Sequence, residues 1–187
     1  NTRAGDVTVG VRDLGGSIEA SLTSVEPCHE AVPEALLERA LDCLDWSAQE
    51  LDPALPPARA YAGAWHLVLA ARTRERLTRL AYDFDALKAL MLEDELTTIQ
   101  LIWRESTTMY HSRNPFPVGG VVEDPATGAA AAALGGYLRD AGLVAAPATL
   151  SIRQGVDMGR PSLLTVSIPE SGGIIVAGTA VSIDSRA

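Results

Sequence analysis

Cysteine is nearly missing from this sequence: Cys28 and Cys43 are the only two in 187 residues. A disulfide framework in a chain of this size needs more, so a reducing, cytoplasmic setting is expected. Basic charge is short as well, with 15 Lys and Arg against 24 Asp and Glu and a formal net charge of −9. That balance argues against a nucleic-acid partner and against binding to an anionic membrane surface. No apolar run is long enough to cross a bilayer; the strongest, residues 129–138, falls far short. The opening residues carry no charged n-region followed by an apolar h-region, so no signal peptide is expected. The dinucleotide fingerprint GxGxxG and the phosphate-binding GxxxxGK[ST] are both absent.

What remains is a folding sequence, 47% hydrophobic. Its pattern is rich in strands. Residues 5–12 and 17–25 alternate apolar and polar around the Gly15-Gly16 turn. Residues 33–44, PEALLERALDCL, read as an amphipathic helix with Pro33 in its first turn. Pro53, Pro56 and Pro57 then break the pattern and suggest a domain boundary over 51–57. Beyond it the pattern predicts a strand over 62–70, a helix over 83–95 and a strand over 97–106. An irregular stretch beginning strand-like at Met109 follows, then a helix over 128–141 and three closing strands. The order is not a regular βαβ alternation, so an α+β arrangement is expected. A strand pattern at the very first residues suggests that sequence preceding Asn1 is missing, processed or carried on another chain.

The helix over 128–141 is unusual. Ala129 to Ala133 are five consecutive alanines, and the helix stays apolar all round until Arg139 and Asp140. A surface helix would show a polar face, so this one should be buried on every side, with a sheet curled around it. The N–H groups of its first turn lack intrahelical partners and carry partial positive charge. In a poorly solvated space they favour an anion. Thr127 can cap or hydrogen-bond, and Gly128 admits a ligand close to the backbone. One reading is therefore a carboxylate held by N–H groups near Gly128, Ala129 and Ala130, with Asp124 beside it. The other is a plain N-cap before a buried helix.

The stretch GVVEDPATGAA, residues 120–130, resembles the signature turn of the phenazine-biosynthesis isomerase-like (PhzF-like) family, usually G-x-x-E-D-P-x-T-G-S-A. Residues 110–113, YHSR, look like the family's arginine-containing strand, and QGVDMGRPSLLTV from Gln154 resembles its QG-x-x-M-G-R-P-S segment. NTRAGDVTV looks like its T-x-A-G strand, and the match spans the whole chain. The resemblance implies a diaminopimelate-epimerase-like fold, each domain a curled sheet around a central helix with the active site between two domains. It implies isomerisation by proton movement on a small carboxylated molecule, no metal or organic cofactor, and a homodimer. Residues 1–50 would then end an incomplete first domain and 58–176 form the second, with 177–187 a closing strand that returns toward the first. A glutamate and a Gly-His pair in the family's first domain supply the acid/base partner, and neither has a counterpart here.

Carried over, Asp124 is the catalytic candidate, and Thr127, Gly128, Ala129 and Ala130 are the substrate-binding candidates. Ala129 stands where the family commonly has serine, and the aromatic of R-x-F-x-P is displaced in Arg113-Asn114-Pro115-Phe116-Pro117. These departures leave a second reading open: a non-catalytic remnant of the same fold that binds a ligand or a partner. His66, His111 and Arg113 are candidates for lining the cleft, each with a structural alternative; Arg113 could instead pair with Glu123. Arg160 could meet a carboxylate or simply stabilise its turn. Cys28 and Cys43 do not match the positions of epimerases that use paired thiols, and Cys28-His29 falls short of a zinc ligand set.

Overall fold

Helix α4 (Gly128–Asp140) organises the molecule, because its residues Ala130 to Leu138 are all buried. The computed structural model describes residues 8–13, 15 and 18–180. The expected strand start at residues 5–7, Gly16 and the tail 181–187 lie outside them.

Among the described residues eleven strands form one sheet. In chain order they are β1 (Thr8–Asp13), β2 (Ile18–Thr23), β3 (Cys28–Ala31), β4 (Ala58–Tyr61), β5 (Trp65–Ala70), β6 (Leu96–Arg104), β7 (Met109–Phe116), β8 (Val121–Asp124), β9 (Ala148–Gln154), β10 (Ser162–Ile168) and β11 (Ile175–Ala180). Neighbours run β1-β2-β11-β10-β9-β7-β6-β5-β4-β3, with β8 paired to β7 off that path. The β5/β6 and β7/β9 pairs are parallel and the other pairs antiparallel. Helix α4 touches β3, β4 and β5 on one side and β10 and β11 on the other, so the sheet curls around it.

Two apolar layers follow from strand alternation. Val68 and Ala70 of β5 face inward with Ala132, Leu134 and Val166. Leu67 and Leu69 face outward, beneath helices α1 (Glu34–Leu44) and α3 (Phe84–Glu93). Small residues let α4 sit this close. A Cβ on Gly136 would meet Pro27 Cβ at 2.3 Å, and one on Gly135 would meet Ile174 and Val166 at 2.9 Å. The outer helices start within a residue of the expected positions: Pro33 stands just before the first turn of α1 and not in it, and Asp83 Oδ1 accepts from Ala86 N at 3.0 Å and caps α3.

Three elements carried little signal. The strand β3 covers CHEA, a polar stretch between the strand expected over 17–25 and the helix expected over 33–44, and it pairs with β4. The strand expected over 62–70 is β5, which begins at Trp65; the element that was missed is β4 before it, joined to β5 by a hairpin turned at Gly63 with φ +113°. The basic stretch after Ala71 contains a short helix, α2 (Arg74–Thr78), capped by Thr73.

The proline-rich stretch 51–57 is anchored to the core. Leu55 is buried, and the Tyr137 hydroxyl of α4 donates to Pro56 O at 2.6 Å. Strands on both sides of it belong to one sheet: β3 pairs with β4, and β2 lies between β1 and β11. Within the described residues the expected boundary therefore does not separate two sheets. Among the described residues no helix is long and apolar enough to cross a membrane.

Candidate active site at the start of the central helix

The turn from Asp124 to Thr127 enters α4 at the end of β8. Its backbone is set by the β7/β8 pair, in which Asn114 lies opposite Asp124 and the register shifts between Pro115 and Phe116. The displaced aromatic, Phe116, sits at that shift with its ring against Gly119.

Intrahelical bonding begins with Ala131 N donating to Thr127 O at 3.0 Å. The N–H groups of Gly128, Ala129 and Ala130 therefore point out of the helix start, and none donates to another described residue. Thr127 makes no side-chain cap. Its hydroxyl donates to Asp124 Oδ2 at 2.6 Å, and its own N–H donates to Gln154 Oε1 at 3.1 Å. Both donors of Thr127, a substrate-binding candidate, are thus engaged within the turn. Asp124 is half-buried, and its Oδ1 takes no hydrogen bond from the described residues.

Gln154 closes the arrangement from β9. It is 1% exposed, and its Nε2 donates to Asp124 O at 2.7 Å and to Thr127 Oγ1 at 2.9 Å. The next residue, Gly155, has φ +75°, and a Cβ there would stand 2.1 Å from Arg160 O and 2.9 Å from Pro125 O. Only glycine fits both the left-handed backbone and that approach. The EDPATG and QGVDMGRPS stretches are therefore one structural unit. Sequence reading named both but gave Gln154 no role; its presence in the second motif was the available signal.

Two depressions flank the turn. One, of ≈ 250 Å³, has apolar walls that include Leu22, Ala126, Gly128, Leu164 and Val176. The other, of ≈ 480 Å³, is lined by Pro125, Ala126, Arg160, Pro161, Ser162 and Thr179. The exposed Arg160 side chain pairs with no acid among the described residues.

The three cleft candidates do not join this turn. His66 is fully buried on the inner face of β5, where its Nδ1 lies 2.8 Å from Thr98 Oγ1. Burial pushes it down to about 4, so it is neutral. His111 lies on the sheet face opposite α4 and meets Glu105 Oε2 at 2.7 Å. Arg113 shares that face, and its structural alternative holds: Nε and Nη2 donate to Glu123 Oε1 and Oε2 at 3.0 and 2.6 Å, and Nη1 to Thr78 O at 2.7 Å. A guanidinium committed to that buried carboxylate is not available to a ligand beside Asp124. Both cysteines are free and stand away from the start of α4. Burial chiefly raises both, with Glu30 and Asp140 adding at Cys28 and Asp83 at Cys43, so neither favours a thiolate.

A family model described as phenazine biosynthesis-like protein matches residues 1–186. The chain belongs to the phenazine biosynthesis-like family. Along nearly its whole length this family member is 23% identical to an uncharacterized isomerase of Bacillus subtilis, covering 99% of this chain and 65% of that protein. The Bacillus anthracis phenazine biosynthesis protein of the PhzF family superposes with a TM-score of 0.77 at 20% identity, over 97% of this chain and 64% of that one. A protein of Pseudomonas aeruginosa described as a predicted epimerase superposes at 0.68 with 26% identity, over 98% and 70%. The fold is the diaminopimelate-epimerase-like type, a curled α+β half-barrel. This phenazine biosynthesis-like chain thus spans less than two thirds of the first two of these relatives.

Proposed function

We propose that this chain contributes one side of an isomerase or epimerase site for a small carboxylated substrate. The observation that carries the reading is the start of α4: three N–H groups without partners among the described residues, at the positive end of a buried helix, beside a carboxylate with one uncommitted oxygen. A substrate carboxylate held by the N–H groups of Gly128, Ala129 and Ala130 gains charge-assisted hydrogen bonds. The same dipoles stabilise negative charge that builds on the substrate when a neighbouring C–H loses its proton. Asp124 orients the substrate or passes that proton through Oδ1, and a second acid/base group, carried by protein outside this chain, returns a proton elsewhere on the carbon frame. The family membership and the isomerase and epimerase descriptions of its relatives support this class of reaction. A partner half domain, homodimeric assembly and a cytoplasmic setting belong to the same proposal.

The test uses the full-length protein in deuterated water with a panel of cyclic and amino carboxylates. Deuterium incorporated by wild type and lost in Asp124→Asn is the expected result; no exchange across the panel refutes catalysis. A second reading rests on Ala129, which offers its N–H but no hydroxyl. If the chain only binds, carboxylates will shift the amide resonances of Gly128, Ala129 and Ala130 with no exchange.

A further inference from the structure

Gln154 reaches the turn from β9, thirty residues further along the chain, and its hydrogen bonds have a direction. Its amide orientation follows from its partners. Oε1 receives the Thr127 N–H, and Nε2 faces the Asp124 carbonyl oxygen and Thr127 Oγ1. A flipped amide would set N–H against N–H and oxygen against oxygen. Because Nε2 donates to Thr127 Oγ1, that oxygen is an acceptor on the Gln154 side. Its single proton is then free to point only the other way, onto Asp124 Oδ2 at 2.6 Å. The result is a relay of fixed sense: Gln154 Nε2–H to Thr127 Oγ1, then Thr127 Oγ1–H to Asp124 Oδ2.

We propose that Gln154 is a positioning residue for the Asp124 carboxylate. It sets the direction of the Thr127 hydroxyl, which occupies Oδ2 and leaves Oδ1 as the oxygen that meets the substrate. Its burial protects the relay from competing water, and the close approach of Gly155 to Pro125 O holds β9 against the turn. This inference rests on the reading of Asp124 given above.

The decisive variant is Gln154→Glu in the full-length protein. It keeps size and shape and still accepts the Thr127 N–H, but at neutral pH it has no proton to donate. The introduced carboxylate draws the Thr127 hydroxyl proton to itself and turns a lone pair toward Asp124. The kcat for deuterium exchange should fall about 100-fold with KM within about 3-fold, the signature of a misplaced catalytic group and not of lost binding. The deficit should shrink as pH falls, because the protonated acid regains a donor; wild type has no such recovery relative to itself. Thr127→Val, which removes the hydroxyl and keeps the shape, should show the same fall without recovery, and it serves if the first variant does not fold. A kcat within about 3-fold of wild type in either variant overturns the inference. A wild-type protein that exchanges no deuterium refutes the functional reading instead, which separates the two failures.

Discussion

Removing the Glu123 carboxylate should be among the most damaging single changes available in this fold. Arg113 is 9% exposed, and two of its three nitrogens depend on Glu123, whose side chain is 4% exposed. In Glu123→Ala the guanidinium keeps only Thr78 O and stays walled off from water. Breaking a buried pair from one side costs about 3–5 kcal/mol, and the slight exposure of Arg113 argues for the lower half, about 3–4 kcal/mol. Replacing both partners, Arg113→Met with Glu123→Leu, leaves no unpaired charge and should lie within about 1 kcal/mol of wild type. Urea unfolding monitors both. With a slope of about 2 kcal/mol per M, the single variant's midpoint should drop by roughly 1.5–2 M while the double variant's barely moves. The double variant also decides the role of Arg113, since carboxylates should still shift the amides of Gly128 to Ala130. A cost below about 1 kcal/mol in Glu123→Ala, at unchanged slope, would mean the pair behaves as a surface ion pair and would refute the reasoning.

Other perturbations test the packing, the paired motifs and the buried histidine. Gly136→Ala gains about 1 kcal/mol of helix propensity but drives a methyl into the Pro27 ring at 2.3 Å, at a cost of about 1–3 kcal/mol. The melting temperature should fall; a rise would show that Pro27 does not lie on α4. Gly155→Ala combines a left-handed backbone, about 1–2 kcal/mol, with overpacking against two carbonyl oxygens, about 1–3 kcal/mol. Its Thr127 amide should lose protection from hydrogen exchange, and unchanged protection would separate the two motifs. His66 supplies a pH slope: burial holds its pKa down at about 4 in the fold against the ordinary 6.5 of an unfolded histidine, so the unfolded chain binds a proton first. Stability should be full above pH 6.5 and decline by about 3 kcal/mol as pH falls toward 4. His66→Gln should flatten that window, and an unchanged slope between pH 6.5 and 4.5 would place the effect elsewhere.

Much of this protein was legible because its information is local. Five alanines and two glycines without a polar face can only be a buried helix, and a buried helix among alternating strands implies a sheet wrapped around it. The Asp-Pro turn with Thr127 and Gly128 announced a helix start with unpaired N–H groups, since that follows from backbone geometry in any helix. Pairing across distance was not legible. Arg113 could have met a ligand or Glu123; the β7/β8 pair brought Glu123 onto its side of the sheet, and burial made the pair exclusive. His66 lies in a stretch that looks like any strand, and only the closing of sheet over helix removed its water. Gln154 is the clearest case. A glutamine has donors and acceptors wherever it stands, and nothing in its neighbours assigns them. The tertiary fold set β9 beside the Asp124 turn, and that juxtaposition turned a neutral side chain into the group that orders the candidate site.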